Sequence, residues 1–312
     1  MARPVPFRKR VRRSVRSIVV AAAIRLLSHL PRRLAWSLGT LAGRLAYPLA
    51  GRTRRLALNG LTTAFPEKSA GEREAIARAM FLHLAHAAME AVTIQSYDRD
   101  LESYVEVRDA ELLREVIARG KGMIYVPGHL GNWELHARRI ARTGLDNATV
   151  GKASHDERLT RLIQEFRASG GVKTLWRESP DSGRVIIKTL RQGKALGILI
   201  DQDTKVQNVF VPFFGKLAAT PRAAADLAIR FGAGVVVGTS HRKGDGPDAG
   251  HVVELTEVPF DPAPPDREAE VLRVTAECSR ILEEAIRRHP EQWVWMHERW
   301  KTRPPSSAET AP

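Results

Sequence analysis

The sequence is poor in several things at once. It has one cysteine, Cys278, in 312 residues, so neither a disulfide nor a Cys/His metal cluster is on offer, and a reducing compartment is the simplest inference. No apolar run reaches the ~18 to 20 residues that a helix needs to cross a bilayer. Arg16 and Arg25 bracket only eight uncharged residues, and Arg32, Arg33 and Arg44 cut the next stretch. Acidic residues are missing from Met1 to Pro66, where 14 Lys and Arg stand, which leaves 35 basic against 35 acidic residues for the remainder. Standard zinc-ligand spacings are missing too, so a metal-dependent hydrolase built on His129, His136 and Asp201 stays a weak alternative.

The whole excess of +14 therefore lies in the first fifth of the chain, and it stands beside apolar stretches such as SIVVAAAIRLLSHL and LAWSLGTLAGRLAYPLAG. A nucleic-acid arm carries similar charge but does not normally run into apolar surface, and the balanced remainder argues against a nucleic-acid partner. Charge next to an amphipathic apolar face points to an anionic membrane surface, on which the segment lies rather than spans. The first 30 residues also imitate a transit peptide. Gly39 and Gly43 make a GxxxG spacing that here is more often chance than a dimer face. We read residues 1–66 as a membrane-anchoring segment, 67–304 as one α/β domain, and 305–312, rich in Ser, Pro and Ala, as a disordered tail.

Past the anchor, RTRRLALNGL reads as a link to a helix from Gly71 to Ile94, opened by a Ser69/Glu72 capping box. His83 and His86 on that helix read as ordinary helix residues. From there strands and helices alternate: strands at Met123–Val126, Ala148–Val150, Val172–Trp176 and Ala195–Ile200, with helices between them, one of them opened by Ser154 and Glu157. Thr220 and Pro221 read as the cap and first residue of a further helix. Val235–Ser240 and His251–Glu257 read as a hairpin, and a long helix runs from Arg267 to Arg288. This rhythm implies a mostly parallel central sheet covered by helices on both faces.

The most informative stretch is KGMIYVPGHLGNWELHARRI, Lys121 to Ile140. It reads as strand, tight turn, helix, which in a parallel sheet puts the turn at the carboxyl edge where ligands collect. His129 sits on that turn and Glu134 in the first helical turn. On one continuous helix their spacing would set them about 140° apart; with the turn between them the two can meet, the carboxylate fixing the imidazole tautomer. The alternative is a turn histidine packed near Trp133 and a solvated acid. Backbone amides around Gly131 and Asn132 are candidate donors to an oxyanion, and equally a structural necessity of the turn.

GHLGNWEL resembles the His-x-x-x-x-Glu block of the bacterial lipid A late acyltransferases, within the wider lysophospholipid acyltransferase group. DQDTKVQNVFVPFFGKLAAT, Asp201 to Thr220, resembles that branch's second block, and PEQWVWMHERWKTRP, Pro290 to Pro304, its C-terminal signature. With NGLTTAFPE at Asn59 to Glu67, these ordered blocks cover most of the chain. The resemblance implies an O-acyltransferase, with His129 as base and Glu134 as its partner. The acyl thioester of an acyl carrier protein or coenzyme A would be the donor and a lipid A precursor or other lipid hydroxyl the acceptor, with no further cofactor and no metal. The site would be the cytoplasmic face of the inner membrane. It implies a place beside the catalytic pair for Arg167, which is otherwise a solvated helix-end arginine, and a place near the substrate for His297. Asp201 and Asp203 are carried as acceptor-side or structural residues, and Trp133, Phe213 and Phe214 as walls of an acyl slot or plain core aromatics.

Overall fold

The computed structural model describes residues 22, 24–154 and 156–305. The basic stretch before Ser17 and residues 306–312 of the expected tail lie outside the described residues. Near the start, α1 (Arg32–Leu49) and α2 (Gly51–Ala64) precede α3 (Ala70–Val92), a 3₁₀ turn and the short α4 (Leu101–Tyr104). The stretch read as a link is thus a helix. β1 (Val105–Val107) and α5 (Glu111–Ala118) lead into the alternating part. That part is β2 (Met123–Pro127), α6 (Trp133–Ala141), β3 (Asn147–Gly151), α7 (Glu157–Ala168), β4 (Lys173–Trp176), α8 (Ser182–Arg191) and β5 (Ala195–Gly197). β6 (Asn208–Phe213) and β7 (Lys216–Pro221) follow, then α9 (Ala223–Phe231), β8 (Gly234–Arg242), β9 (His251–Val258) and α10 (Arg267–Arg288).

Seven strands form one sheet in the order β1-β9-β8-β2-β5-β3-β4, and β6 and β7 form a separate antiparallel ribbon. All neighbours in the large sheet are parallel except β8 and β9, the expected hairpin. The alternation along β2 divides the core. Ile124 and Val126 join the cluster under α8, α9 and α10, whereas Met123 and Tyr125 join the one under α5 and α6, as the period of two in a strand requires. Cys278 is buried in α10, and burial pushes its thiol up to about 12.

The Ser69/Glu72 capping box forms in both directions, 3.2 and 2.8 Å. Two other helix starts differ from expectation. Asp156, not Ser154, caps α7, its carboxylate accepting from the Arg158 amide at 3.1 Å. Thr220 and Pro221 end strand β7, and α9 starts after Arg222. Thr220 is fully buried and takes a bond from Arg299, so tertiary pairing overrides its local preference for a helix cap.

The first helices are not set apart from the α/β body. Tyr47, Leu61 and Phe65 share a cluster with Phe213, Phe214, Trp293 and Trp295, so the break expected after residue 66 does not exist in the packing. α1 lies on α3 along Ala35, Gly39, Gly43 and Tyr47, all buried. A Cβ at Gly43 would stand 2.7 Å from Leu82 Cα, and one at Gly39 2.9 Å from a ring atom of His86. The GxxxG spacing is therefore an intramolecular seam. It turns Leu34, Leu38, Leu41, Leu45 and Leu49 outward, from 36 to 80% exposed.

Candidate active site

β2 ends at Pro127 and the chain turns at once. Gly131 has φ +64°, and a Cβ there would fall 2.5 Å from the Ser240 carbonyl oxygen, so the turn demands glycine on two counts. The turn is pinned from beneath. Gly131 N–H donates to the Gln292 carbonyl at 3.1 Å, and the His83 ring bonds the Gly131 carbonyl at 3.1 Å. The Asn132 side chain caps α6, accepting from the amides of Glu134 and Leu135 at 3.2 Å each. Its own amide group donates to Glu90 at 2.9 Å.

Glu90 is the hub of this foundation. Buried in α3, it takes Tyr104 O–H at 2.6 Å, pairs with the equally buried Arg242, and faces His251 at 3.3 Å. Burial alone would raise its pKa; His251, Arg242 and Tyr104 outweigh that and hold it well below the ordinary range. None of these residues was picked out as functional in the sequence. The one available signal was a lone acid within the apolar run of the helix.

On this platform His129 does not use Glu134. Its Nδ1–H donates to Asp201 Oδ1 at 2.8 Å, and its backbone N–H donates to Asp201 Oδ2 at 2.6 Å. Trp293 Nε1–H completes the carboxylate at 2.9 Å. Asp201 has no exposed side-chain surface, while the His129 imidazole is 22% exposed. Burial pushes the Asp201 carboxyl up, yet the facing imidazole, the indole and the amide together bring it down to about 2. A buried anion thus fixes the tautomer, and Nε2 is left as the acceptor.

The expected His129–Glu134 pairing is corrected accordingly. Glu134 takes a bidentate pair from Arg167, Nε at 3.0 Å and Nη2 at 2.6 Å, both side chains mostly buried. Arg167 stands in the last turn of α7, and its side chain reaches the first turn of α6 at Glu134. Its planar fork matches the carboxylate.

His129, Glu134 and Arg167 line one cavity of about 460 Å³ that runs inward beside Trp133 to Met123 and Ile140. Such a volume lies within the roughly 300–1,000 Å³ of small-ligand sites, and its walls are mainly apolar. Other expected site residues lie elsewhere. The Gly131 amide is taken by Gln292 and so is not free to serve an oxyanion, and the Asn132 side chain is buried as the helix cap. Phe214 is buried against Phe65, Trp295 and Trp300, and Phe213 packs on Trp293 and Trp300; both are core. Asp203 accepts from the amide and hydroxyl of Thr302 at 2.7 and 3.0 Å, which fastens the C-terminal block rather than a substrate. His297 is half-buried, and burial lowers its pKa, but it does not line the cavity. His136 does line it; its ring bonds Tyr125 O–H at 2.5 Å, and burial brings it down to about 3.

The fold and this site define an α/β enzyme whose carboxylate-held histidine faces an apolar cavity at the carboxyl edge of a parallel sheet. The chain belongs to the bacterial lipid A biosynthesis acyltransferase family, matching it over residues 5–302; it is an acyltransferase. It is 29% identical over 283 residues to the lipid A biosynthesis lauroyltransferase of Escherichia coli, covering 89% of each chain. It is 28% identical to the palmitoleoyltransferase of the same organism, over 88% of this chain and 87% of the relative. A phosphatidylinositol mannoside acyltransferase of Mycolicibacterium smegmatis is 26% identical over 54% of this chain and 57% of its own.

Proposed function

We propose that this enzyme moves a fatty acyl chain from the thioester of an acyl carrier protein or coenzyme A to a hydroxyl of a lipid A precursor or closely related glycolipid. The observation that carries the reading is the His129–Asp201 pair at the opening of an apolar cavity. His129 Nε2 takes the proton of the acceptor hydroxyl as its oxygen attacks the thioester carbonyl carbon. Asp201 stabilises the imidazolium that forms. The tetrahedral intermediate then expels the thiolate, the C–S bond breaks, and His129 returns the proton to sulfur, leaving an ester and a free thiol. No acyl-enzyme, metal or further cofactor enters this sequence.

Arg167, held in place by Glu134, sets positive charge beside the reacting centre, suited to the developing oxyanion or to an anionic substrate. Glu134 thus acts through Arg167. The cavity takes the acyl chain. The outward leucines of α1, flanked by the exposed Arg33, Arg44, Arg52 and Arg55, meet the lipid surface from which a glycolipid acceptor is drawn. Among the described residues no helix is long and apolar enough to cross a membrane. The names of the relatives support the acceptor class, and a lipid A acceptor places the reaction at the cytoplasmic face of an inner membrane.

The test is acyl transfer by the purified protein from mixed acyl-carrier-protein donors, with a lipid A precursor and a phosphoglyceride acceptor offered together and products read by mass spectrometry. His129→Ala is expected to lower turnover on the order of 10²- to 10⁴-fold. Wild-type turnover in that variant would rule the mechanism out, and exclusive acylation of the phosphoglyceride would rule out the acceptor.

A further inference from the structure

The cavity also follows the carboxyl edge of the sheet away from His129, past Gly197 at the end of β5 to the ends of β3 and β4, where Lys152 and Arg177 line it. The strand order β2-β5-β3-β4 sets those two ends about 10 and 14 Å from the strand that leads to His129. Register makes Lys152 and Arg177 neighbours. Gly151 and Trp176, the last residues of β3 and β4, are paired, and Arg177 N–H donates to the Gly151 carbonyl at 3.0 Å. Glu178 ties the two segments together, accepting from the Ala153 amide and from Arg177 Nε, both at 3.0 Å. Gly151 permits this closeness, because a Cβ there would stand 3.1 Å from the Trp176 ring, which is itself anchored by Nε1–H donating to Gln164 at 3.1 Å.

The charges along the cavity do not balance. Its lining holds one acid, Glu134, which Arg167 already pairs; Lys152 and Arg177 are left over. Among the described residues the exposed Lys152 forms no ion pair, and Arg177, 28% exposed, uses only Nε on Glu178, which does not line the cavity. The Nη groups of Arg177 are thus open to a ligand. A mainly apolar cavity with two unmatched cations at one edge suits an amphiphile that carries an anion. A planar fork beside an ammonium, reaching in from two strands, suits the several oxygens of a phosphate better than the two of a carboxylate.

We propose that Lys152 and Arg177 bind a phosphate ester carried by one of the two substrates. The inference rests on the acyl-transfer reading above for what those substrates are, and adds the group that holds one of them at a distance from the reacting centre. Two sources share this chemistry: a sugar phosphate on a glycolipid acceptor, and the phosphate of the pantetheine arm on which a carrier protein or coenzyme A presents its thioester.

On the full-length protein the site is read first without turnover, as the rise in melting temperature given by decyl phosphate beyond that given by decanol. The wild type is expected to show this difference and the double variant Lys152→Gln with Arg177→Gln to lose it. Kinetics then name the source, as two ratios of kcat/KM: phosphorylated over phosphatase-treated acceptor, and acyl-phosphopantetheine over acyl-pantetheine donor. The double variant is expected to lower one ratio at least about 10-fold, the first if the phosphate is the acceptor's and the second if it is the donor's. Lys152→Glu, at an exposed position clear of the Glu178 tie, should lower the same ratio. Equal stabilisation by phosphate and alcohol in the wild type, a difference that survives the double substitution with native circular dichroism, or two unmoved ratios each overturn the assignment. Should the wild type transfer no acyl group at all, while decyl phosphate stabilises it and not the double variant, the reaction falls and the phosphate site stands.

Discussion

His129 and Asp201 meet twice, through the imidazole Nδ1–H at 2.8 Å and through the backbone N–H of the same histidine at 2.6 Å. One carboxylate thereby fixes both the position of the turn and the tautomer of the ring it carries.

Replacing that carboxylate tests both roles. Asp201→Asn keeps the shape but removes the charge facing the imidazolium, and is expected to lower kcat by about 10² to 10⁴ with little change in KM. A variant within a factor of about three of wild type would show that the pairing is only structural.

The same group sets a pH signature. Asp201 titrates at about 2 in the folded protein, below the ordinary carboxylate value near 3.9. Its folded-state pKa is depressed, so it adds stability above the unfolded value and loses it as pH falls through the folded one. The contribution is on the order of 2 kcal/mol. Urea unfolding of wild type and Asp201→Asn is expected to give a stability gap that holds above about pH 4 and narrows toward pH 2. A gap independent of pH would contradict the assignment.

Glu134 and Arg167 form a mostly buried bidentate pair, so their losses are expected not to add. Glu134→Ala and Arg167→Ala should each cost about 10- to 10³-fold in kcat/KM, and the double variant little more than the worse single one, a coupling of about 1–3 kcal/mol. Arg167→Lys keeps the charge but not the fork, and falls between. Fully additive losses would separate the two residues.

Foundation and chemistry separate at Glu90. Glu90→Ala strands the buried Arg242 and frees the Asn132 cap, and is expected to cost about 3–5 kcal/mol, seen as a lowered Tm. A Tm within a degree or two of wild type would mean that Arg242 finds another partner.

The leucine face of α1 carries the membrane prediction. Leu41→Asp with Leu45→Asp removes two exposed apolar side chains and places acids near an anionic surface. Sedimentation with vesicles containing phosphatidylglycerol is expected to drop at least about 10-fold, with acyl transfer to a detergent-solubilised acceptor retained. Unaltered sedimentation would move the contact to another surface.

Much of the fold could be read from the chain, because the signals were local. The apolar run at Met123 broken by Pro127 and Gly128, the Ser69 capping box and the βα rhythm each act within a few residues. The seat of His129 on its turn was legible for the same reason. Its partner was not. Glu134 is five residues away in sequence, while Asp201 is 72 away and arrives only because β5 lies beside β2 in the sheet, an order that no local pattern encodes. Phe214 failed for a related reason: an aromatic residue in a motif and one in a core have the same composition, and only packing separates them. Thr220 and Pro221 carried the chemistry of a helix start, but pairing with β6 prevailed.

The indole that steadies Asp201 comes from Trp293, 92 residues further along. The imidazole, its anion and the anion's clamp are therefore contributed by three remote segments, and nothing shorter than the finished sheet with its last block docked can bring them into register. On the acyl-transfer reading proposed above, turnover is expected to gauge global folding and to melt in step with the whole molecule rather than ahead of it.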